Sequence, residues 1–171
     1  EIVLTVCALK RMGTAFAPRV FSLLQAVGDN CKQDFFARYN KCIDVGVLFE
    51  RQAGEEFCAS LMHSLVAEVL LKLANIPVRD SETCLLRLIR VMSSNETDLE
   101  VLRRLLRRVA NQQAPVSSGE YAKALFLAAV DSTHGDWVVC QQFANYLRQL
   151  GEYNDALKMI EKALQANPNH A

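Results

Sequence analysis

Apolar residues recur along this chain at intervals of three and four, the spacing that gathers side chains on one face of an α-helix. In GEEFCASLMHSLVAEVLLKLAN, residues 54–75, Phe57, Leu61, Leu65, Val69 and Leu73 fall four apart, with Met62, Val66 and Leu70 beside them. This predicts a helix with a broad apolar face. Ile76-Pro77 ends it, because proline disfavours the helical conformation in the residue before it. Ser81 followed by Cys84, Leu85, Leu88, Ile89 and Met92 predicts the next helix, closed by Ser93-Ser94-Asn95. Thr97 or Asp98 can cap the one after, since a side-chain oxygen there accepts from free backbone N–H groups.

Residues 98–111, DLEVLRRLLRRVAN, set Leu102, Leu105, Leu106 and Val109 on one face and Arg103, Arg104, Arg107 and Arg108 on the other. APVSSG at 114–119 reads as a loop, and helices follow at about 119–132, 137–150 and 152–166. Nearer the start, Pro18 opens a helix to Val27 that Gly28 ends, and Lys32–Gln52 reads as helical with a break near Gly46. No segment alternates in the manner of a strand. The expectation is an all-α chain of eight or nine antiparallel helices.

Three short stretches repeat. GEYNDA at 151 recurs as GEYAKA at 119, an offset of 32, and a weaker GEEFCA begins at 54. An internal period in the low thirties marks stacked helix-turn-helix units. Gly151 suits the left-handed backbone that ends a helix, Tyr153 begins the next helix and packs in the turn, Ala156 and Ala163 keep it thin, and Pro168 stops it.

Residues 137–171 thereby resemble the tetratricopeptide repeat (TPR) family. Gly151, Tyr153, Ala156, Ala163 and Pro168 match the second half of that motif, whereas Cys140 and Phe143 stand where the family has Trp and Leu. Ala144 occupies a position held by Gly or Ala. The unit at about 98–133 matches more loosely and lacks the terminal Pro, and upstream of residue 97 only spacing and helicity support a repeat. The resemblance implies a right-handed helical solenoid over residues 1–171, with 98–171 as TPR-like pairs and 1–97 as a degenerate region.

It also implies that the first helix of each pair lines a concave groove. In 137–150 the core would take Cys140, Phe143, Ala144 and Leu147, leaving Val138, Gln141, Gln142, Asn145, Arg148 and Gln149 in the groove. The same register 38 residues earlier puts Leu102, Leu105, Leu106 and Val109 in the core and Glu100, Arg103, Arg104 and Arg107 in the groove. Guanidinium groups on successive turns fork onto carboxylates or phosphates, and side-chain amides pair with the backbone of an extended peptide. An acidic peptide or a terminal carboxylate suits this strip. The lysines with which some TPR proteins clamp carboxylates are absent. An arginine stripe opposite an apolar stripe is also what an ordinary solvated helix face looks like.

Composition narrows the function classes. The 171 residues are 51% hydrophobic and 22% charged, with nineteen basic and nineteen acidic residues. Net neutrality argues against a generic nucleic-acid binder. A patch for RNA would need Arg87 and Arg90 as extensions, and no interleaved aromatics offer stacking. The six cysteines (Cys7, Cys31, Cys42, Cys58, Cys84 and Cys140) are scattered with no metal-ligand spacing. As small hydrophobes they suit reduced thiols of cytoplasm or nucleus. His63, His134 and His170 belong to no nucleophile, metal or phosphate motif, so neither an enzyme nor a cofactor is expected. Asn95-Glu96-Thr97 matches a glycosylation sequon without secretory context.

The opening EIVLTVCALKRMG holds an apolar run too short to span a membrane. With no initiator Met, the chain reads as a domain of a larger protein. The function expected is a non-catalytic scaffold that binds a partner peptide or subunit in a helical groove. The alternatives are an assembly subunit using its outer helical face and an RNA-binding helical repeat, with nucleic acid and membrane disfavoured as partners.

Overall fold

The computed structural model describes residues 2–12, 37, 40–44, 48–53, 56–60, 67, 69, 72, 77–92, 96–114 and 116–168. They belong to two compact units, Glu1–Met92 and Ser93–Ala171.

The first unit contains helix α1 (Ile2–Arg11), strands β1 (Phe49–Ala53) and β2 (Glu56–Ser60), and helix α2 (Val78–Val91). Helix α1 packs against α2 and touches β2. Val6, Cys7 and Leu9 of α1 and Cys84, Leu85, Leu88 and Ile89 of α2 are buried, as expected of two apolar stripes facing each other. Pro77, in extended backbone, precedes α2, which therefore begins at Val78, ahead of the expected Ser81. Further helical backbone occurs at residues 37, 40–44, 67, 69 and 72.

The helical class expected from the sequence stands, with one departure. Strands β1 and β2 form an antiparallel hairpin in which Phe49 opposes Ser60, Arg51 opposes Cys58 and Ala53 opposes Glu56. It replaces the end of the helix expected to Gln52 and the start of the one expected from Gly54. The register leaves only Gly54 and Glu55 between the strands, and a two-residue connection containing Gly is a strong hairpin signal. Each strand has only five residues. That is too short an alternation to outweigh the helical spacing that follows, so the GEEFCA stretch is no helix start. The helix expected at Pro18–Val27, the break at Gly46, the sequon Asn95, His63 and His170 lie outside the described residues. Six helices have full bounds among the described residues.

The second unit is entirely helical among its described residues, with α3 (Glu96–Ala110), α4 (Gly119–Ser132), α5 (Trp137–Gln149) and α6 (Tyr153–Ala166) in packed antiparallel pairs. Helix α5 lies at the centre and packs against α3, α4 and α6. Leu102, Leu105, Leu106 and Val109 are buried on one face of α3, and Cys140, Phe143, Ala144 and Leu147 on α5, as the periodicity requires. The Phe126 ring stacks on Phe143 at 5.0 Å and on Tyr146 at 5.3 Å, which joins α4 to α5. Such pairs contribute about 0.5–1.5 kcal/mol beyond their area.

Three helices end in the same way. At the end of α3 the Gln113 N–H donates to the Arg108 carbonyl at 2.8 Å; at the end of α4 Gly135 donates to Val130 at 2.8 Å; at the end of α5 Glu152 donates to Leu147 at 3.0 Å. The residue before each donor is left-handed: Gln112 with φ 56°, His134 with φ 52° and Gly151 with φ 78°. This closure satisfies carbonyls that the helix end would otherwise leave free. The sequence pointed to Gly151, where glycine is favoured by the positive φ and not by crowding: a Cβ there would meet nothing within 4 Å.

The two best copies of the repeated motif do not pack alike. In α4, Tyr121, Leu125 and Ala128 are buried while Leu127 and Asp131 are exposed. In α6, the equivalent Tyr153, Leu157 and Ile160 are exposed, and the helix instead buries Ala156 and partly buries Met159 and Ala163. Tyr153 thus does not pack into the turn, contrary to expectation. The motif marks two helix starts, with apolar residues on more than one side of α6 but with Asp131 on the corresponding side of α4. The two copies bury different sides, Tyr121, Leu125 and Ala128 in α4 and Ala156 in α6.

Candidate partner-binding surface

Helix α3 divides sharply by charge. Glu96 and Glu100 are exposed near its N-terminus, Arg104 and Arg107 further along, an order that complements the helix dipole. Arg104 donates to Glu100 at 3.2 Å. Both side chains are well exposed, and a pair of this kind is worth only about 0.3–0.5 kcal/mol. Arg107 is exposed and makes no ion pair among the described residues.

Arg103 behaves differently from its neighbours. Its Nε donates to Asp136 Oδ1 at 3.1 Å and its Nη2 to Asp136 Oδ2 at 2.6 Å, with a weaker contact to Glu96 at 3.4 Å. The pair is largely shielded, with 22% of the Arg103 side chain and 10% of the Asp136 side chain exposed. The Asp136 hydrogen bond raises the pKa of Arg103 further above its ordinary value, against the opposing effect of burial. Asp136 also caps α5, since its Oδ1 accepts from the Val139 N–H at 3.1 Å. Arg103, expected among the groove ligands, is therefore committed to holding α3 against the start of α5.

On α5, Gln141, Asn145, Arg148 and Gln149 are exposed and Val138 is half-buried. Arg148, like Arg107, makes no ion pair among the described residues. Gln142, expected in the groove, is instead buried, and its Oε1 has no hydrogen-bond partner among the described residues. The physical reason is the central place of α5. Three neighbouring helices widen its buried arc past the one that two neighbours would make, and Gln142 sits at the edge of that arc. What remains exposed is Arg104 and Arg107 on α3 and Gln141, Asn145, Arg148 and Gln149 on α5, two helices that pack together.

Sequence reasoning missed two features. Asp136 drew no attention in the sequence, although an Asp just before an apolar helix is a capping signal. The exposed row Tyr153, Leu157, Ile160 and Leu164 on α6 was legible as a spacing, but only the packing reveals that nothing among the described residues covers it.

Chemistry elsewhere is sparse. His134 is an exposed turn residue. Cys7, Cys84 and Cys140 are buried and unbridged, and Cys42 is half-buried; burial raises the thiol pKa of Cys7 and Cys140. Among the described residues no group of three or more His, Cys, Asp or Glu is placed to hold a metal ion, and no helix is long and apolar enough to cross a membrane. An open depression of about 260 Å³ at the start of α6 is lined by Gly151, Glu152, Tyr153, Asn154 and Asp155. Arg87 and Arg90, the residues an RNA patch would need, are exposed on α2 in the first unit.

Comparison of the chain with protein-family models, with curated proteins and with solved structures yields no match.

Proposed function

We propose that this chain is a non-catalytic protein-interaction module, a TPR-like scaffold whose α3–α5 strip takes up an acidic segment of a partner protein. The observation that carries this reading is the pair Arg107 and Arg148, both exposed and without an ion pair among the described residues, on helices in direct contact. Unpaired guanidinium groups retain their full capacity for a bidentate carboxylate. The amides of Gln141, Asn145 and Gln149 lie exposed on the same helix as Arg148, and amides of this kind suit the backbone of an extended chain. Arg103 contributes indirectly by holding the two helices together. Buried, unbridged cysteines favour a reducing compartment, cytoplasm or nucleus.

The test is capture of partners from cell extract, identified by mass spectrometry, with wild type and an Arg107→Glu, Arg148→Glu double variant. Arg103 is left in place so that the fold is not disturbed. The expected result is a discrete partner held by wild type and lost by a variant of unchanged helical circular dichroism. Equal capture by both proteins would sink the reading.

A further inference from the structure

Helix α6 is held differently from the other helices of its unit. Helices α3, α4 and α5 each bury seven residues, whereas α6 fully buries only Ala156. It packs chiefly on α5. The apolar core therefore belongs mostly to α3–α5, and a lysine fastens α6 near each end. Just ahead of α6, Glu152 pairs with Lys123 of α4, their side chains 37% and 34% exposed. With its carboxylate turned to Lys123, Glu152 gives α6 no side-chain cap. Toward the far end, Lys162 lies across the turn that closes α4. A Cβ on the buried Gly135 would fall 2.8 Å from Lys162 Cε and 3.6 Å from its Nζ, so the ammonium sits beside the negative end of α4. The link from α5 turns at Gly151, with φ 78° and open space where a Cβ would stand.

We propose that α6 is a latched strap, which swings off α5 as a unit about Gly151 while α3–α5 stay folded, and so uncovers the Cys140 thiol. Elements with few buried apolar contacts open at lower free energy than the body that carries them. Hinges are short connections that absorb the change in backbone angles, and at Gly151 no crowding resists it. What stays behind supports itself. The Phe126 ring still stacks on Phe143 and Tyr146, and the Arg103–Asp136 pair still joins α3 to α5. Cys140 is fully buried on α5. Burial raises its thiol pKa and the Lys162 charge opposes that rise, which places the strap close beside it. A thiol reacts only where a reagent reaches it, so the chemistry of Cys140 follows the position of α6. None of Arg104, Arg107 and Arg148 lies on α6, and the opening does not depend on the reading of the α3–α5 surface.

The test is hydrogen exchange of the whole 171-residue chain, read by mass spectrometry, together with iodoacetamide labelling followed cysteine by cysteine. The expected result is that the amides of 153–166 exchange as one group, well before those of 99–109 and 139–147. Cys140 is labelled in step with them. Lys162→Met and Glu152→Gln each release one latch, and each speeds both processes about twofold to fivefold, the effect of losing an exposed or partly exposed charge contact. Cys7, fully buried in the other unit, keeps its wild-type labelling rate. If a variant loses helical circular dichroism, wild-type exchange and labelling decide the matter alone. Four results overturn the proposal: exchange of α6 and α3–α5 in a single event, stepwise fraying from Ala166 that leaves the Tyr153 end protected, labelling of Cys140 only on global unfolding, or equal acceleration of Cys7 by the latch variants.

Discussion

The guanidinium of Arg103 grips both carboxylate oxygens of Asp136, a residue 33 positions later that is also the N-cap of α5. One carboxylate thus starts a helix and fastens it to another. Asp136→Ala removes the cap, worth about 1 kcal/mol, and strands a shielded guanidinium, so the total loss is expected near 2–4 kcal/mol. Asp136→Asn keeps the cap and loses the charge, and is expected to cost about half as much. Urea unfolding of the two variants checks this. Equal, small effects would mean that the pair contributes nothing.

Two of the three left-handed helix ends, Gly151 and Gln112, respond oppositely to mutation. Gly151→Ala places a Cβ in a conformation that disfavours one and is expected to cost about 1 kcal/mol. Gln112→Gly relieves the same strain, with part of the gain offset by a more flexible unfolded chain, and is expected to stabilise by about 0.5 kcal/mol. Thermal unfolding midpoints on either side of wild type are the readout. A shift of both variants in one direction contradicts the helix-end geometry.

Gln142 buries a carbonyl oxygen without a partner among the described residues. Leucine fills a similar volume without the desolvated polar atom, so Gln142→Leu is expected to stabilise by about 1 kcal/mol. Partner capture by this variant is expected to match wild type. Loss of stability would show that the amide is satisfied in solution.

Burial raises the pKa of Cys7, Cys140 and Tyr146 in the folded chain. Each is an acid whose neutral form the fold favours. The stability this linkage provides is complete below the unfolded value, ordinarily 9.0 for the thiols, and is lost as the pH rises through the higher folded value. Unfolding free energy is therefore expected to be level with respect to these groups near neutrality and to fall above about pH 9. In Cys140→Ala the fall is shallower, whatever the change in absolute stability. An identical slope would remove Cys140 from the account.

Much of the second unit was legible in the sequence. The buried faces of α3 and α5 were read correctly from Leu102, Leu105, Leu106 and Val109 and from Cys140, Phe143, Ala144 and Leu147, because a three-and-four spacing can bury its apolar residues only on one side of a helix. Gly151 was legible as a helix end because few residues tolerate positive φ. The hairpin was not, because five residues of alternation carry little weight against the longer periodicity beyond them.

The candidate surface was legible only in part. The periodicity determined which side of α3 and α5 is polar, so Arg104, Arg107, Gln141, Asn145, Arg148 and Gln149 are exposed as expected. It could not tell that Arg103 is taken by Asp136 or that Gln142 falls under a neighbouring helix, because both outcomes depend on elements brought together from distant parts of the chain. The same limit governs α4 and α6. Their shared motif determined where each helix starts, and only the tertiary structure decided which face is buried, since a helix covers whichever side its neighbours occupy.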